Sequence, residues 1–376
     1  MNSEVTKIAR GIEWLLARQH RDGSWGAPSD PDIDRLITTC QVVTLLVDLG
    51  YPIESKIIRN AVKFLSHERF FKYETKGPIV TYWRLEPFSR LLHHYSELKQ
   101  IINKELEIIY DRVKKGRGPS HHFVLPLYAI KIIHLLNLQE EKKEWLNLFV
   151  KQAINQWDGK EKCFSDRADM TSMGWTWLQR VDWPKDISDM KEEILRDTKE
   201  YIIHKADENE VEASWRYGYI ATTAFVCINI AEAEIKDRKL TELVIKARKY
   251  LLGKQKPKGF WEPTEGEKPP QIKSNEYYTA VALRGIISSY KVENYDIIPA
   301  IWSNIAEKCK RRESFSTLVA TLLGIVFVFY FGTRLIYSLQ SVLHGISVFD
   351  LVGIALGFLG ASPAIKSIFQ WLRKKL

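Results

Sequence analysis

Apolar residues near the start of the chain follow the period of an α-helix. They recur at helical spacing, at Ile8, Ile12, Leu15 and Leu16, which predicts an amphipathic helix from Glu4 to Gln19. Asp22 and Gly23 predict a tight turn after it, because glycine tolerates the left-handed backbone. A second apolar run, Leu36 to Leu49, stops at a Gly-Tyr-Pro sequence that ends helices. One unit is therefore a helix, a turn, a short loop and a second helix.

The same turn occurs again near residue 260, after an equivalent helix. Both copies have a basic residue, a small residue, an aromatic–aliphatic pair, Gln, Gly and Trp at identical spacing. So many shared positions indicate repeated helical units. In each unit we expect the Trp ring to fold back over the helix end and the Gln side chain to bond the turn backbone. The structural repeat motif comprises Gln19, Gly23, Trp25, Gln255, Gly259 and Trp261.

This motif resembles the QW repeat of squalene-hopene and oxidosqualene cyclases, which protein prenyltransferase β subunits share more loosely. Segments 38–50 and 279–285 resemble the second helix of such a repeat, and weaker copies lie near 61–65, 163–178 and 201–231. The resemblance extends over about residues 1–300. It implies an all-α fold, an α/α toroid of helical hairpins in which the inner helices line a central cavity. We assign residues 1–305 to this domain.

The tail, residues 306–376, has a different pattern. Two apolar stretches, about 315–337 and 348–369, have the length of a bilayer core of about 30 Å and predict a two-helix transmembrane hairpin. Basic residues flank both stretches, which predicts a cell-membrane protein with the toroid and the C-terminus in the cytoplasm and the basic flanks at the inner leaflet. Small residues of the second stretch would allow close helix packing and a homo-oligomer. The alternative is a pair of buried helices in a soluble domain.

The net charge bears on the binding partners, and the cysteine content bears on the cellular compartment. The chain carries a net charge of +9, of which the residues from Lys308 onward supply +7 through nine basic and two acidic side chains. The toroid is therefore almost neutral, and we expect no nucleic-acid partner. Four cysteines without paired spacing are typical of a reducing compartment.

Acidic residues precede the second helix of the first unit. The resemblance to squalene-hopene cyclases implies an Asp-x-Asp-Asp acid motif here, and Asp32 and Asp34 supply its first two acids, so they are the candidate catalytic residues. Arg35 stands where the third acid would be, and a cation there would hold its neighbours ionised. The alternative is that Asp30, Asp32 and Asp34 are loop and helix-capping residues.

The remaining candidate chemistry is aromatic. Aromatic faces stabilise carbocations, so one hypothesis gives substrate binding to Trp175, Trp177, Trp215 and Tyr219. Packing between repeats is the other interpretation. The Asp-x-Cys zinc motif of prenyltransferases is missing and adjacent histidines rarely chelate one ion, so we expect no metal and no cofactor.

Three functions remain open at this stage. The first is a membrane-anchored terpenoid cyclase-like or prenyltransferase-like protein that binds, with or without converting, a polyprenyl or terpenoid lipid. It predicts a deep apolar cavity that contains an acid. The second is a non-catalytic sensor that controls a two-helix membrane effector, for example in antiviral defence, and it predicts a filled or polar centre. The third is a scaffold that holds partners at the membrane.

Overall fold

The computed structural model describes residues 2–70, 81–116, 124–164, 166–216, 218–234, 237–265, 272 and 274–310. The chain divides into two compact units, Met1–Ile305 and Ala306–Leu376. The first unit contains nearly all of the described residues, and its architecture follows.

Outer and inner helices alternate along the described part of the first unit. The outer helices are α1 (Asn2–Leu16), α3 (Lys56–Leu65), α5 (Leu98–Lys114), α7 (Lys143–Ile154), α9 (Lys191–His204) and α11 (Arg238–Gly253). The inner helices are α2 (Asp32–Asp48), α4 (Leu85–Leu91), α6 (Val124–Leu135), α8 (Ala168–Leu178), α10 (Ile220–Glu232) and α12 (Asn275–Val292). Short 3-10 helices cover Thr81–Arg84 and Ser188–Met190, and a further helix begins at residue 298.

Contacts between the inner helices close a ring. Each inner helix packs against the next, and α12 packs against both α10 and α2. The described chain thus forms six outer–inner hairpins around one axis, which is the α/α toroid predicted from the sequence. A short antiparallel hairpin between α9 and α10 pairs β1 (Ala206–Glu208) with β2 (Ala213–Trp215), with Ala206 opposite Trp215.

Burial explains which helices are inner. In α3 the apolar residues lie on one face, which packs inwards, whereas α12 is buried almost throughout. The ring is tight where α10 passes α12: a Cβ on Gly285 would lie 2.7 Å from the Cα of Ala224. Glycine at this position therefore permits the close contact between α10 and α12.

The helix ends differ slightly from the sequence prediction. Helix α1 ends at Leu16 rather than Gln19, because the residues after it form the turn. Helix α2 begins at Asp32, four residues before the apolar run. Its first turn contains Asp32 and Asp34, and acidic residues are favourable there because the helix N-terminus carries partial positive charge.

The predicted membrane anchor is not supported. The segments 315–337 and 348–369 lie outside the described residues. Within the described ranges, the helices are too short or too polar to cross a bilayer. The described residues therefore give no support to the transmembrane hairpin or to the two-span cell-membrane location predicted from the sequence.

Candidate functional site

The Gly–Trp turn after α1 has the geometry that its sequence predicts. The indole Nε1 of Trp25 donates to the main-chain oxygen of Leu15 at 2.8 Å, so the ring covers the end of α1. The side-chain amide of Gln19 donates to the oxygens of Gly23 at 3.1 Å and of Ile57 at 2.8 Å. Gln19 therefore joins the turn to α3, the outer helix of the next hairpin.

The second copy of the turn closes the ring. Nε1 of Trp261 donates to the oxygen of Leu251 at 2.7 Å, and Gln255 donates to the oxygens of Gly259 and Lys7 at 2.9 and 2.8 Å. Since Lys7 belongs to α1, the last hairpin is held to the first by the same bond that Gln19 makes to α3. The motif residues are structural links between neighbouring hairpins.

A third copy has a different sequence. Trp215 is the last residue of β2 rather than following a Gln–Gly turn, yet its Nε1 donates to the oxygen of Ile202 at 2.8 Å. In all three copies the Trp main-chain N–H donates to a threonine hydroxyl of the following inner helix, at 3.0 to 3.1 Å. These threonines are Thr39, Thr223 and Thr279.

The acids before α2 do not cap it. The N-cap is Pro31, which has no side-chain capping bond. Asp30 accepts from the N–H of Ala27 at 2.8 Å, and Asp32 forms ion pairs with Arg35 at 3.7 Å and Arg69 at 3.5 Å. The helix-capping part of the interpretation is therefore wrong, whereas the loop part holds for Asp30, which accepts a bond within the loop before α2.

Arg35 has a different role from the one its position suggested. Its guanidinium bonds the carboxylate of Asp22 and the hydroxyl of Ser24, both in the Gly–Trp turn. Burial raises the pKa of Asp22, but the bonds from Ser24 and Arg35 outweigh it and lower that pKa. By contrast, burial, followed by the nearby charge of Asp30, raises the pKa of Asp34. Proton transfer by Asp32 and Asp34 stays a prediction.

The candidate aromatic residues do not converge on one cavity. Trp175 and Trp215 are buried in one apolar cluster, and Trp177 belongs to another. Tyr219 precedes α10, where the guanidinium of Arg216 lies 5.7 Å from its ring centroid. This placement favours packing between repeats, the second of the two interpretations.

Charged side chains fill the centre of the ring. Glu86 on α4 is buried and accepts from Arg284 of α12 at 2.6 Å, Lys131 of α6 at 3.0 Å and Arg90 at 3.3 Å. Tyr128 donates to its other oxygen at 3.3 Å. Burial alone would raise the pKa of Glu86, but these three cations hold it well below its usual range. An apolar terpenoid would have to displace these ion pairs.

The sequence contains a signal for this cluster. Arg284 interrupts the apolar run of α12, and Lys131 interrupts that of α6. Charged residues are almost never fully buried unless they are paired. A lone charge inside an otherwise buried helix therefore predicts a partner, although the sequence does not say which one.

A polar pocket lies where α1 and its turn meet the start of α12. Its volume is about 640 Å³. Arg18 and Glu276 form an ion pair of 2.6 Å across it, and Ser274 donates to Glu276 at 2.8 Å. The lining residues are Ala17, Arg18, Gln19, His20, Gly26, Ala27, Pro28, Asp30, Ser274, Asn275 and Glu276. Of the candidate acidic residues, Asp30 lines the pocket.

In the portion of the chain that the structure describes, no group of three or more His, Cys, Asp or Glu side chains is placed to hold a metal ion.

Comparison with known proteins gives structural similarity alone. No protein-family profile and no curated protein sequence matches the chain. A crystal structure described as a possible member of the GH105 family from Klebsiella pneumoniae has a TM-score of 0.48 and 12% identity, and covers 78% of this chain and 94% of that one. A second, from Salmonella enterica and described in the same words, has a TM-score of 0.47 and 11% identity, with the same coverage.

The centre of the ring corrects the function predicted from the QW resemblance. The charged cluster around Glu86 occupies the place of the apolar cavity that a terpenoid would need. The prediction of a membrane-anchored protein that binds a polyprenyl or terpenoid lipid is therefore wrong. The sensor alternative predicted a filled or polar centre, and it stays a prediction.

Proposed function

We propose that the polar pocket between α1 and α12 binds a small polyhydroxylated molecule, such as a sugar. The observation that carries this proposal is the pocket lining, which is dense in hydrogen-bonding groups and contains no large apolar side chain. A hydroxyl group both donates and accepts, so a polyol suits a surface that offers both kinds of group.

The polar groups of the lining are only partly used. His20 donates from Nε2 to the oxygen of Gly26 at 2.6 Å in the tautomer that this bond requires, so its Nδ1 can accept. Asn275 is half-buried, and its side-chain amide has no bond to the described residues. Arg18 uses Nε for Glu276 and keeps its terminal N–H groups for a ligand. The pocket thus offers donors and acceptors together.

The pocket is also preorganised. Arg18 lies over the Trp14 ring, 4.5 Å from its centroid, and Trp14 in turn stacks on Phe260 at 5.2 Å. Ser274 caps α12 by accepting from the N–H of Tyr277 at 3.3 Å. Because these groups are held before a ligand arrives, little conformational entropy is lost on binding.

Saturation-transfer NMR on the full-length chain tests this proposal, with neutral hexoses, amino sugars and sugar acids as probes. Binding should be saturable, and Arg18→Gln and Asn275→Ala should each weaken it about tenfold, since each removes hydrogen bonds to the ligand. Lys254→Gln is the matched control, because Lys254 lies over the ring of Tyr250 at 5.1 Å as Arg18 lies over Trp14, but outside the pocket. If no sugar binds, or if all three variants bind equally, the proposal is wrong.

A further inference from the structure

The charged cluster around Glu86 extends from the centre of the ring to the end of the inner helices that lies opposite the polar pocket. Asp30 precedes α2 and Asp48 ends it, and this helix of 17 residues is about 25 Å long. We call the group around Asp48 the carboxyl-end cluster. Its members are Asp48, Glu86, Arg90, Lys131, Trp177, Arg180, Glu232 and Arg284.

The cluster is continuous. Arg90 lies 2.5 Å from Asp48 and 3.6 Å from Glu232, and Lys131 lies 3.1 Å from Glu232. Arg180 donates to the main-chain oxygen of Glu232. Two cations lie near the ring of Trp177, with Arg180 at 5.2 Å and Lys131 at 5.5 Å from its centroid.

The formal charges do not balance. The cluster holds four cations, Arg90, Lys131, Arg180 and Arg284, against the carboxylates of Glu86, Asp48 and Glu232. Neighbouring His134, whose Nε2 lies 3.2 Å from Arg180, does not change this count, because burial and then Arg180 lower its pKa, while the exposed carboxylate of Glu234 acts on it in the opposite direction. Among the buried and half-buried groups of the cluster, the cations thus outnumber the carboxylates by one, and a partly buried charge without a compensating anion is costly.

Four buried N–H donors in the cluster also lack acceptors. Among the described residues, none accepts from Nε of Arg90, Arg180 or Arg284, or from Nε1 of Trp177. Buried donors are rarely left without a partner. The missing groups are all acceptors, which agrees with the excess of positive charge.

We propose that the carboxyl-end cluster binds an oxyanion, a carboxylate or a phosphate group, against Arg180, Arg90 and Trp177. An oxyanion supplies the missing negative charge and several acceptors at once, and arginine binds such groups with paired N–H donors. Arg90, Arg180 and Glu232 are half-buried, so a ligand reaches them from the rim. The inference is independent of the sugar pocket, which lies at the other end of α2.

Indole N–H resonances of the ¹⁵N-labelled full-length chain provide the test. Inorganic phosphate and acetate are titrated in turn, with chloride keeping the ionic strength constant. One indole resonance, assigned by its loss in Trp177→Phe, should shift in a saturable way, and the tighter of the two anions identifies the ligand group. In calorimetry, Trp177→Phe should weaken the binding of that anion about tenfold, because the substitution removes one hydrogen-bond donor and keeps the packing of the side chain.

Two arginine variants complete the test. Arg180→Gln should abolish saturable binding, whereas Arg238→Gln should not change it, because Arg238 lies exposed on α11. If Arg180→Gln does not fold, the anion affinity of Trp177→Phe is by itself the test of the site. If neither anion shifts the Trp177 resonance, or if Trp177→Phe binds as tightly as the parent, the donors are met by water and the proposal is wrong.

Discussion

Glu86 and Arg284 lie 198 positions apart in the chain, and their side chains meet at 2.6 Å in the centre of the toroid. Helices α4 and α12 are thereby joined across the ring. Arg284 also bonds the side-chain oxygen of Gln41 on α2. Burial alone would lower the pKa of Arg284, but Glu86 and Asp48 raise it, so this guanidinium is charged at any ordinary pH.

Glu86→Gln should therefore destabilise the toroid strongly. The substitution leaves Arg284, Lys131 and Arg90 close together without their shared carboxylate, and an uncompensated buried charge typically costs about 3–5 kcal/mol. The free energy of unfolding in urea measures this effect.

Glu242→Gln is the control for Glu86→Gln. It removes an exposed i,i+4 ion pair with Arg238 of 3.0 Å, and we expect a loss of at most about 0.5 kcal/mol. Similar losses in the two variants would show that the central cluster contributes no more than a surface pair.

The threonine behind each repeat tryptophan should stabilise its turn. Thr39→Val keeps the shape of the side chain but leaves the buried N–H of Trp25 without the hydroxyl 3.0 Å away. We expect a loss of about 1–3 kcal/mol, the usual cost of an unpaired buried donor. Thr279→Val should do the same at Trp261, where the distance is also 3.0 Å.

Thr44→Val provides the comparison for these two variants in denaturant unfolding. The Thr44 hydroxyl donates to the main-chain oxygen of Cys40 at 2.8 Å within α2, so its removal leaves no N–H unpaired. An equal loss in this variant would contradict the proposed role of Thr39 and Thr279.

Glycine in the repeat turn is required for space as well as for its backbone angle. Gly23 has φ of +91°, and a Cβ there would lie 2.1 Å from the main-chain oxygen of Asn60. Gly50 has φ of +67° with nothing within 4 Å of the added atom. Gly50→Ala should therefore cost about 1 kcal/mol from the left-handed backbone alone.

Gly23→Ala should cost clearly more than Gly50→Ala, because backbone atoms of α3 must move. Circular dichroism during thermal unfolding gives the melting temperature of each variant. If Gly23→Ala has no cooperative transition, its destabilisation is the larger of the two. Equal melting temperatures would mean that the turn has room to adjust.

Local features of the site could be predicted from the sequence, and long-range ones could not. The bonds of Gln19 and Trp25 within the turn depend on residues at most ten positions away, and they form as predicted. Two partners of Glu86 come from α6 and α12, which are distant in the sequence, so no local spacing of residues predicts these contacts. Arg35 is a further example at shorter range. Its partners Asp22 and Ser24 belong to the preceding turn, whereas the sequence suggested that it contacts the neighbouring acids.

The pH dependence of stability should distinguish Asp34 from its neighbour Asp32. Burial and Asp30 raise the pKa of Asp34 above its ordinary value of 3.8. The folded state then binds this proton more tightly than the unfolded state, so stability falls as pH rises from the unfolded pKa through the raised one. Asp34→Asn should therefore stabilise the chain at pH 7, by less than about 1 kcal/mol because water screens a half-buried carboxylate.

At pH values below the ordinary pKa of Asp34, the advantage of Asp34→Asn should vanish, since the parent side chain is then neutral in both states. Asp32→Asn should act in the opposite direction at pH 7, because it removes the ion pairs with Arg35 and Arg69 at 3.7 and 3.5 Å. Urea unfolding at pH 3 and at pH 7 measures both variants. If Asp34→Asn destabilises the chain at pH 7, then Asp34 is held as a stabilised carboxylate, and a role as proton donor is excluded.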